Sequence, residues 1–310
     1  MSSSVEVLSL RGAGGLTLAA TRYGGRSDPP VVFLHGAGQT RHSWHDTAEA
    51  VAAAGFQAIC VDHRGHGDSE WPHEAEYEFG DYADDVDELL SQLDEPPVMV
   101  GASLGGIAIL TSHGRQHDQR YRGVVLVDIT PRIDIDGAQR ILGFMGANPE
   151  GFDTLEDASA VIAAYTGRPR PDRLDGLQKV LRMDPLTNRW RWHWDIRFLH
   201  GRLGGDALRN RTDELQFQLL DAASRLAVPT LVIRGGRSEL VSHQAVDELV
   251  GAIPNAQTIE VADAGHMIAG DDNDTFTGAI TDFLSQFRSP NGSSLPGQRL
   301  HAPTQRSNRP

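Results

Sequence analysis

A single cysteine, Cys60, stands in a chain of 310 residues, so no disulfide can join two parts of it. Cys60 lies in the apolar run Ala58-Ile59-Cys60-Val61, where its plain reading is a small buried hydrophobe. Basic residues are outnumbered, 28 Lys and Arg against 42 Asp and Glu, for a formal net charge of -14. Phosphate binding needs clustered Lys and Arg, so neither nucleic acid nor an anionic membrane is expected as a standing partner. No window approaches the roughly 18 consecutive apolar residues that a membrane span requires. The start, Met1-Ser2-Ser3-Ser4-Val5-Glu6, has neither the basic residues nor the apolar stretch of a signal peptide. A soluble, cytoplasmic protein is the expectation. Aromatic residues make up only 6% of the chain, yet 39% is hydrophobic overall, enough aliphatic material for one sizeable core with room for an insertion.

What is present is a recurrence of short β-branched runs. They are Val5 to Leu10, Leu16 to Tyr23, Val31 to His35, Gln57 to Asp62, Val98 to Ala102, Gly123 to Asp128, Thr230 to Arg234 and Gln257 to Val261. The first two flank Gly12-Ala13-Gly14-Gly15 and read as an edge hairpin. The later runs are continuously apolar rather than alternating, as strands covered on both faces must be. Helical stretches such as Asp81 to Leu93 and His243 to Ile253 separate several of them. Strands alternating with helices predict an α/β fold: a mostly parallel eight-stranded sheet with helices on both faces.

Between Pro131 and about Arg225 the strand runs stop. Residues 190–199 there read Trp-Arg-Trp-His-Trp-Asp-Ile-Arg-Phe-Leu and hold three of the five tryptophans, which marks the interval as unlike its surroundings. The organisation read from this is a core formed by residues 1–130 and 226–288, an inserted helical cap over 131–225, and a disordered tail from 289 to 310. That tail is rich in Ser, Pro, Asn, Gly, Gln and Arg.

The segment that carries chemistry is Val98-Met99-Val100-Gly101-Ala102-Ser103-Leu104-Gly105-Gly106-Ile107. A strand runs into Gly-x-Ser-x-Gly and a helix-like stretch follows. A serine on such a strained strand-to-helix turn projects its hydroxyl above the sheet, and small residues two before and two after it let the backbones close together. The helix also points its positive end at the place where negative charge would develop.

A serine hydroxyl needs a neighbouring base, and in this arrangement the partners follow in the order Ser, acid, His. The last histidine before the tail is His266, in Asp263-Ala264-Gly265-His266-Met267. Two loops offer the acid. Glu239 follows the run Thr230 to Arg234, and Asp128 ends the run Gly123 to Asp128. Glu239 is ranked first and Asp128 second. His35-Gly36-Ala37-Gly38 follows another strand and is where a second oxyanion donor is expected, pairing the backbone amide of Ala37 with that of Leu104. His63 and His66, in Asp62-His63-Arg64-Gly65-His66-Gly67-Asp68-Ser69, sit too close together on a glycine turn for a zinc site. Neither a metal nor an organic cofactor is expected.

Over roughly residues 5 to 287 these motifs together resemble the α/β-hydrolase superfamily. The resemblance rests on His35-Gly36-Ala37-Gly38, on the Asp62 to Ser69 stretch, on Gly101-Ala102-Ser103-Leu104-Gly105-Gly106 and on Gly265-His266. It implies the α/β-hydrolase fold and the branch with a helical cap. That branch holds esterases, lactonases, carbon–carbon bond hydrolases, cofactor-free haloperoxidases and perhydrolase-like enzymes, epoxide hydrolases and dehalogenases. The last two use an aspartate nucleophile, whereas this chain has Ser103, so an alkyl-enzyme ester is not the implied intermediate. The superfamily commonly places an Asp after the strand near Leu231, where this chain has Glu239. The resemblance thus implies cleavage of a carboxylic ester or lactone of a small apolar molecule through an acyl-enzyme on Ser103. Trp190, Trp192 and Trp194 are candidates to line the acyl pocket. A carbon–carbon hydrolase or haloperoxidase is the alternative within the class. A slow-turnover small-molecule receptor is the alternative outside it.

Overall fold

In a computed structural model of the chain, the residues described are 4–116, 120–167, 169–171, 173–200, 205–262, 264–266 and 274–288. The tail from 289 onward, with Asp263 and Met267, lies outside them. The first five strands are β1 (Val5–Arg11), β2 (Thr17–Tyr23), β3 (Pro30–Leu34), β4 (Gln57–Val61) and β5 (Val98–Ala102). With β6 (Gly123–Val127), β9 (Thr230–Gly235) and β10 (Ala256–Val261) they form one eight-stranded sheet in the order β1-β2-β4-β3-β5-β6-β9-β10. Pairing is antiparallel from β1 to β2 and from β2 to β4, and parallel throughout the rest. Every position of β3, β4, β5 and β6 is buried, which is why those runs read as continuously apolar. All eight strand runs found in the sequence are strands of this sheet.

Alternation of side chains divides the core between the two faces. Val32, Leu34, Met99 and Leu126 pack on the face covered by α2 (Phe79–Leu90) and α3 (Leu104–Arg115). Val31, Phe33, Val100 and Val125 pack on the other face, with Trp44 just before α1 (His45–Ala53) and with Phe276 and Phe283 of α8 (Asp274–Ser285). Helix α7 (His243–Ala252) bridges β9 to β10.

Between β6 and β9 come α4 (Ile135–Met145), α5 (Leu155–Thr166), the strands β7 (Leu181–Asp184) and β8 (Arg189–Trp192), and α6 (Gly205–Ser224). The antiparallel pair β7–β8 departs from the all-helical reading of this interval. Its turn has a local cause: Asp184 accepts from the Leu186 amide at 2.9 Å and the Thr187 hydroxyl at 2.8 Å, and Asn188 takes a positive φ of 53°. The C-terminal part of α6 lies against α3, where a Cβ added at Gly114 would come within 3.1 Å of the Ala222 Cβ. That end of the interval therefore packs on α3. No helix among the described residues is long and apolar enough to cross a membrane.

Candidate active site

Ser103 stands between β5 and α3 with φ 46° and ψ -110°, a backbone conformation that L-residues rarely adopt. The surroundings hold it there. Its amide donates to the Val127 carbonyl at 3.1 Å, and its carbonyl accepts from the Ile107 amide at 3.0 Å. The two glycines of the motif are required by crowding. A Cβ at Gly101 would lie 2.6 Å from the Gly105 carbonyl carbon, and one at Gly105 would run into the Leu34 carbonyl.

The His266 ring reaches the serine from the loop after β10. Its Nε2 lies 3.2 Å from Ser103 Oγ and its Nδ1 2.7 Å from Asp128 Oδ2. A carboxylate can only accept, so Nδ1 carries the proton and donates to Asp128, leaving Nε2 free to accept from the serine hydroxyl. Asp128 is buried, with 1% of its surface exposed, and its acceptors are engaged. Its Oδ1 accepts from the Gly235 amide at 2.9 Å, and its Oδ2 accepts from the Ser238 hydroxyl at 2.5 Å as well as from His266. Asp128 also takes a positive φ, 47°, with its amide donating to the Ile233 carbonyl at 2.7 Å. That kink at the end of β6 turns the carboxylate toward the imidazole instead of onward along the strand.

The acid ranking read from the sequence is corrected here. Glu239 does not meet His266: its half-exposed carboxylate pairs with Arg140 Nε of α4 at 2.7 Å. The physical reason is the direction of the loop after β9. Ser238 faces inward onto Asp128, so the next residue faces outward, and Gly137 packs so tightly against the Glu239 backbone that any Cβ there would strike its carbonyl. The inward-facing Ser238 is the residue that sequence reasoning missed. Its only signal was adjacency to Glu239 in Gly235-Gly236-Arg237-Ser238-Glu239.

The loop after β3 lies over the serine. A Cβ at Gly36 would sit 3.4 Å from the Ser103 Cβ. Gly36 and Gln39 tie the turn, with the Gly36 amide donating to Gln39 Oε1 at 3.0 Å and the Gln39 amide donating to the Gly36 carbonyl at 3.1 Å. The Gly38 amide donates to His66 Nε2 at 3.2 Å. The Ala37 amide, between these, is bonded to no described residue, and Leu104 opens α3, where an amide has no acceptor within the helix. Both amides are thus free to donate to a developing negative charge.

Three buried histidines support this loop from beneath. His35 donates from Nδ1 to the Gly36 carbonyl at 2.8 Å and accepts at Nε2 from the His63 amide at 3.0 Å. His63 Nε2 donates to the His35 carbonyl at 3.0 Å, and His66 Nδ1 donates to the Arg64 carbonyl at 3.0 Å. Burial pushes His35 down to about 4, His66 to about 3 and His63 well below its ordinary value. The rings are neutral with their tautomers fixed by backbone partners, so they organise the loop. Among the described residues no group of three or more His, Cys, Asp and Glu side chains is placed to hold a metal ion.

Trp192 and Trp194 pack against each other. Trp192 stacks on Trp194 with ring centroids 4.6 Å apart, meets Phe144 and Phe152 edge-on, and donates from Nε1 to the Ala147 carbonyl at 3.0 Å. Trp190 is half-buried on β8, its backbone bridged to Phe152. Trp192 and Trp194 also border a surface cavity of about 530 Å³ with Trp71 and Arg182, which none of Ser103, Asp128 and His266 lines. Their observed surroundings are those of a small aromatic core among the elements between β6 and β9.

A serine on a strained strand-to-helix turn, a histidine from a late loop and a buried carboxylate at a strand end, all above an eight-stranded mostly parallel sheet, define the hydrolase class built on this fold. The chain belongs to the alpha/beta hydrolase fold family, which it matches over residues 29–272. It is similar to the 3-hydroxybutyrate-oligomer hydrolase of Cupriavidus necator, at 27% identity over 82% of this chain and 88% of that one. It is also similar to the sn-1-specific diacylglycerol lipase of Mus musculus, at 29% identity over 83% of this chain and 81% of that one. Among solved structures, that of E-2-(acetamidomethylene)succinate hydrolase superposes with a TM-score of 0.75 at 25% identity, covering 91% of this chain and all of that one.

Proposed function

We propose that the protein is a serine hydrolase that cleaves the ester bond of a small, largely apolar carboxylic ester or lactone. The observation that carries this reading is the continuous hydrogen-bonded chain from Ser103 Oγ through His266 to Asp128, at 3.2 and 2.7 Å. Ser103 Oγ attacks the carbonyl carbon while its proton passes to His266 Nε2. The carbonyl oxygen becomes an oxyanion that accepts from the amides of Ala37 and Leu104; removing one such donor typically costs about 10²–10³ in rate. Asp128 stabilises the imidazolium and fixes its tautomer. His266 then hands its proton to the departing alkoxide, leaving an acyl group on Ser103. A water molecule, deprotonated by the same Nε2, attacks that ester, and collapse releases the carboxylic acid and restores the serine.

A fluorophosphonate probe followed by peptide mapping tests the nucleophile. It should modify Ser103, and Ser103→Ala should abolish both labelling and hydrolysis of short-chain p-nitrophenyl esters and lactones. Modification of a different serine would remove the basis of the reading. A β-diketone in the same panel separates the carbon–carbon alternative, which predicts its cleavage in preference to the esters. Repeated turnover separates an enzyme from a ligand receptor, which would stall after about one cycle while gaining thermal stability from its ligand.

A further inference from the structure

We propose that Ser238 is a positioning residue for the active site: its hydroxyl holds the Asp128 oxygen that orients His266. The proposal rests on the reading of Ser103, His266 and Asp128 as nucleophile, base and acid. Ser238 Oγ accepts from the Leu240 amide at 3.3 Å and the Val241 amide at 3.2 Å. Those two bonds occupy its acceptor sites, so its one proton is directed to Asp128 Oδ2, 2.5 Å away. The same Oδ2 accepts from His266 Nδ1 at 2.7 Å, so the hydroxyl and the imidazole converge on one oxygen. Donation by two amides strengthens the hydroxyl as a donor, since linked hydrogen bonds polarise one another.

Two consequences follow for the reaction. The carboxylate is pinned on both sides, with Gly235 on Oδ1 and Ser238 on Oδ2, so the imidazole it holds stays aimed at Ser103. The hydroxyl also draws charge from the oxygen that faces the imidazolium, which limits how tightly Asp128 holds the proton on His266. Ser238 is linked to α4 through its own loop. The residues it binds, Leu240 and Val241, continue the stretch on which α4 docks, with the Asp134 amide donating to the Leu240 carbonyl at 3.1 Å.

The test is the pH profile of kcat/KM for Ser238→Ala and Ser238→Thr beside the parent, with melting temperatures recorded for all three. In Ser238→Ala, kcat should fall on the order of tenfold, the weight of one charge-assisted hydrogen bond, with KM within about twofold. The acid-side limb should move to higher pH, because a carboxylate relieved of a donor holds the imidazolium proton more tightly. Ser238→Thr keeps the hydroxyl and should return both kcat and the limb. A purely structural serine would lower the melting temperature and leave the limb unmoved, and that result overturns the proposal, as does a Thr variant that behaves like Ala. Ser103→Ala and Asp128→Asn run alongside separate the two claims. Activity surviving in them defeats the proposed function, whereas their inactivity with a parent-like Ser238→Ala defeats this inference alone.

Discussion

Glu239 and Arg140 form an ion pair at 2.7 Å that joins the loop after β9 to α4, and in doing so turn the Glu239 carboxylate away from His266. The imidazole is met instead by Asp128. A carboxylate partner stabilises an imidazolium that forms only during the reaction, so its removal should lower kcat far more than it raises KM. Asp128→Asn should lose about two to four powers of ten in kcat, by analogy with the serine-protease aspartate. Glu239→Gln should lose less than about tenfold, since an exposed pair is worth little to stability and does not touch the imidazole. Steady-state kinetics on both variants, each checked for a parent-like melting temperature, decide the matter; a crippled Glu239→Gln beside an active Asp128→Asn would reverse the assignment.

The division between what was legible and what was not has a physical cause. The strands of the central sheet are buried on both faces, so their composition betrays them, and the Gly101–Gly105 elbow is dictated by backbone crowding that only glycine relieves. That Ser103 and His266 meet is legible from that elbow and from chain order. Which carboxylate meets the imidazole is not, because two strand ends each present one, and the choice between them depends on which side chain faces inward along one loop. Nothing local in Arg237-Ser238-Glu239 encodes that direction; it comes from the docking of Gly137 and Arg140 on the loop. The β7–β8 hairpin was hidden for another reason. Its strands are four residues each, and the aromatic alternation of Arg189–Trp192 read as a cluster of tryptophans.

Crowding at the elbow and open space around α4 predict opposite outcomes for two glycine substitutions. Gly105→Ala would push a methyl group into the Leu34 carbonyl, next to the site, and should cut both stability and turnover sharply. Gly143 lies in α4 with nothing within 4 Å of an added Cβ, so Gly143→Ala should stabilise the protein by about 0.5–1 kcal/mol through helix propensity. Thermal melts of the two variants check the pair. A stabilised Gly105→Ala would contradict the close strand–helix approach.

The aromatic packing predicts that Trp192 acts through stability. Replacing a buried aromatic by alanine costs about 3–5 kcal/mol, and Trp192 is buried against Trp194, Phe144 and Phe152. Trp192→Ala should therefore melt well below the parent, and Trp192→Phe should recover part of the loss. An acyl-pocket residue would instead alter the preferred acyl chain length with little change in melting temperature. Melting curves and an ester chain-length series, measured on the same preparations, separate the two.

The three histidines beneath the loop after β3 predict how stability responds to acid. Burial lowers His35 from its ordinary 6.5 to about 4 and His66 to about 3, and drives His63 down as well. In the unfolded chain the same rings bind protons below about pH 6.5, while the folded protein excludes them. The unfolded state thus holds more protons across this window, and stability rises with pH there. The stabilisation is complete above about pH 6.5 and is lost as pH falls toward the folded values near 4 and 3. For His35 alone the shift corresponds to about 3 kcal/mol. His66→Gln isolates one ring, because an amide oxygen can still accept from the Gly38 amide but does not titrate. Melting temperatures taken from pH 7 to pH 4 should fall more steeply in the parent than in His66→Gln, with the variant starting at or below the parent at neutral pH. Parallel slopes in the two proteins would show that His66 is not among the groups through which acid acts.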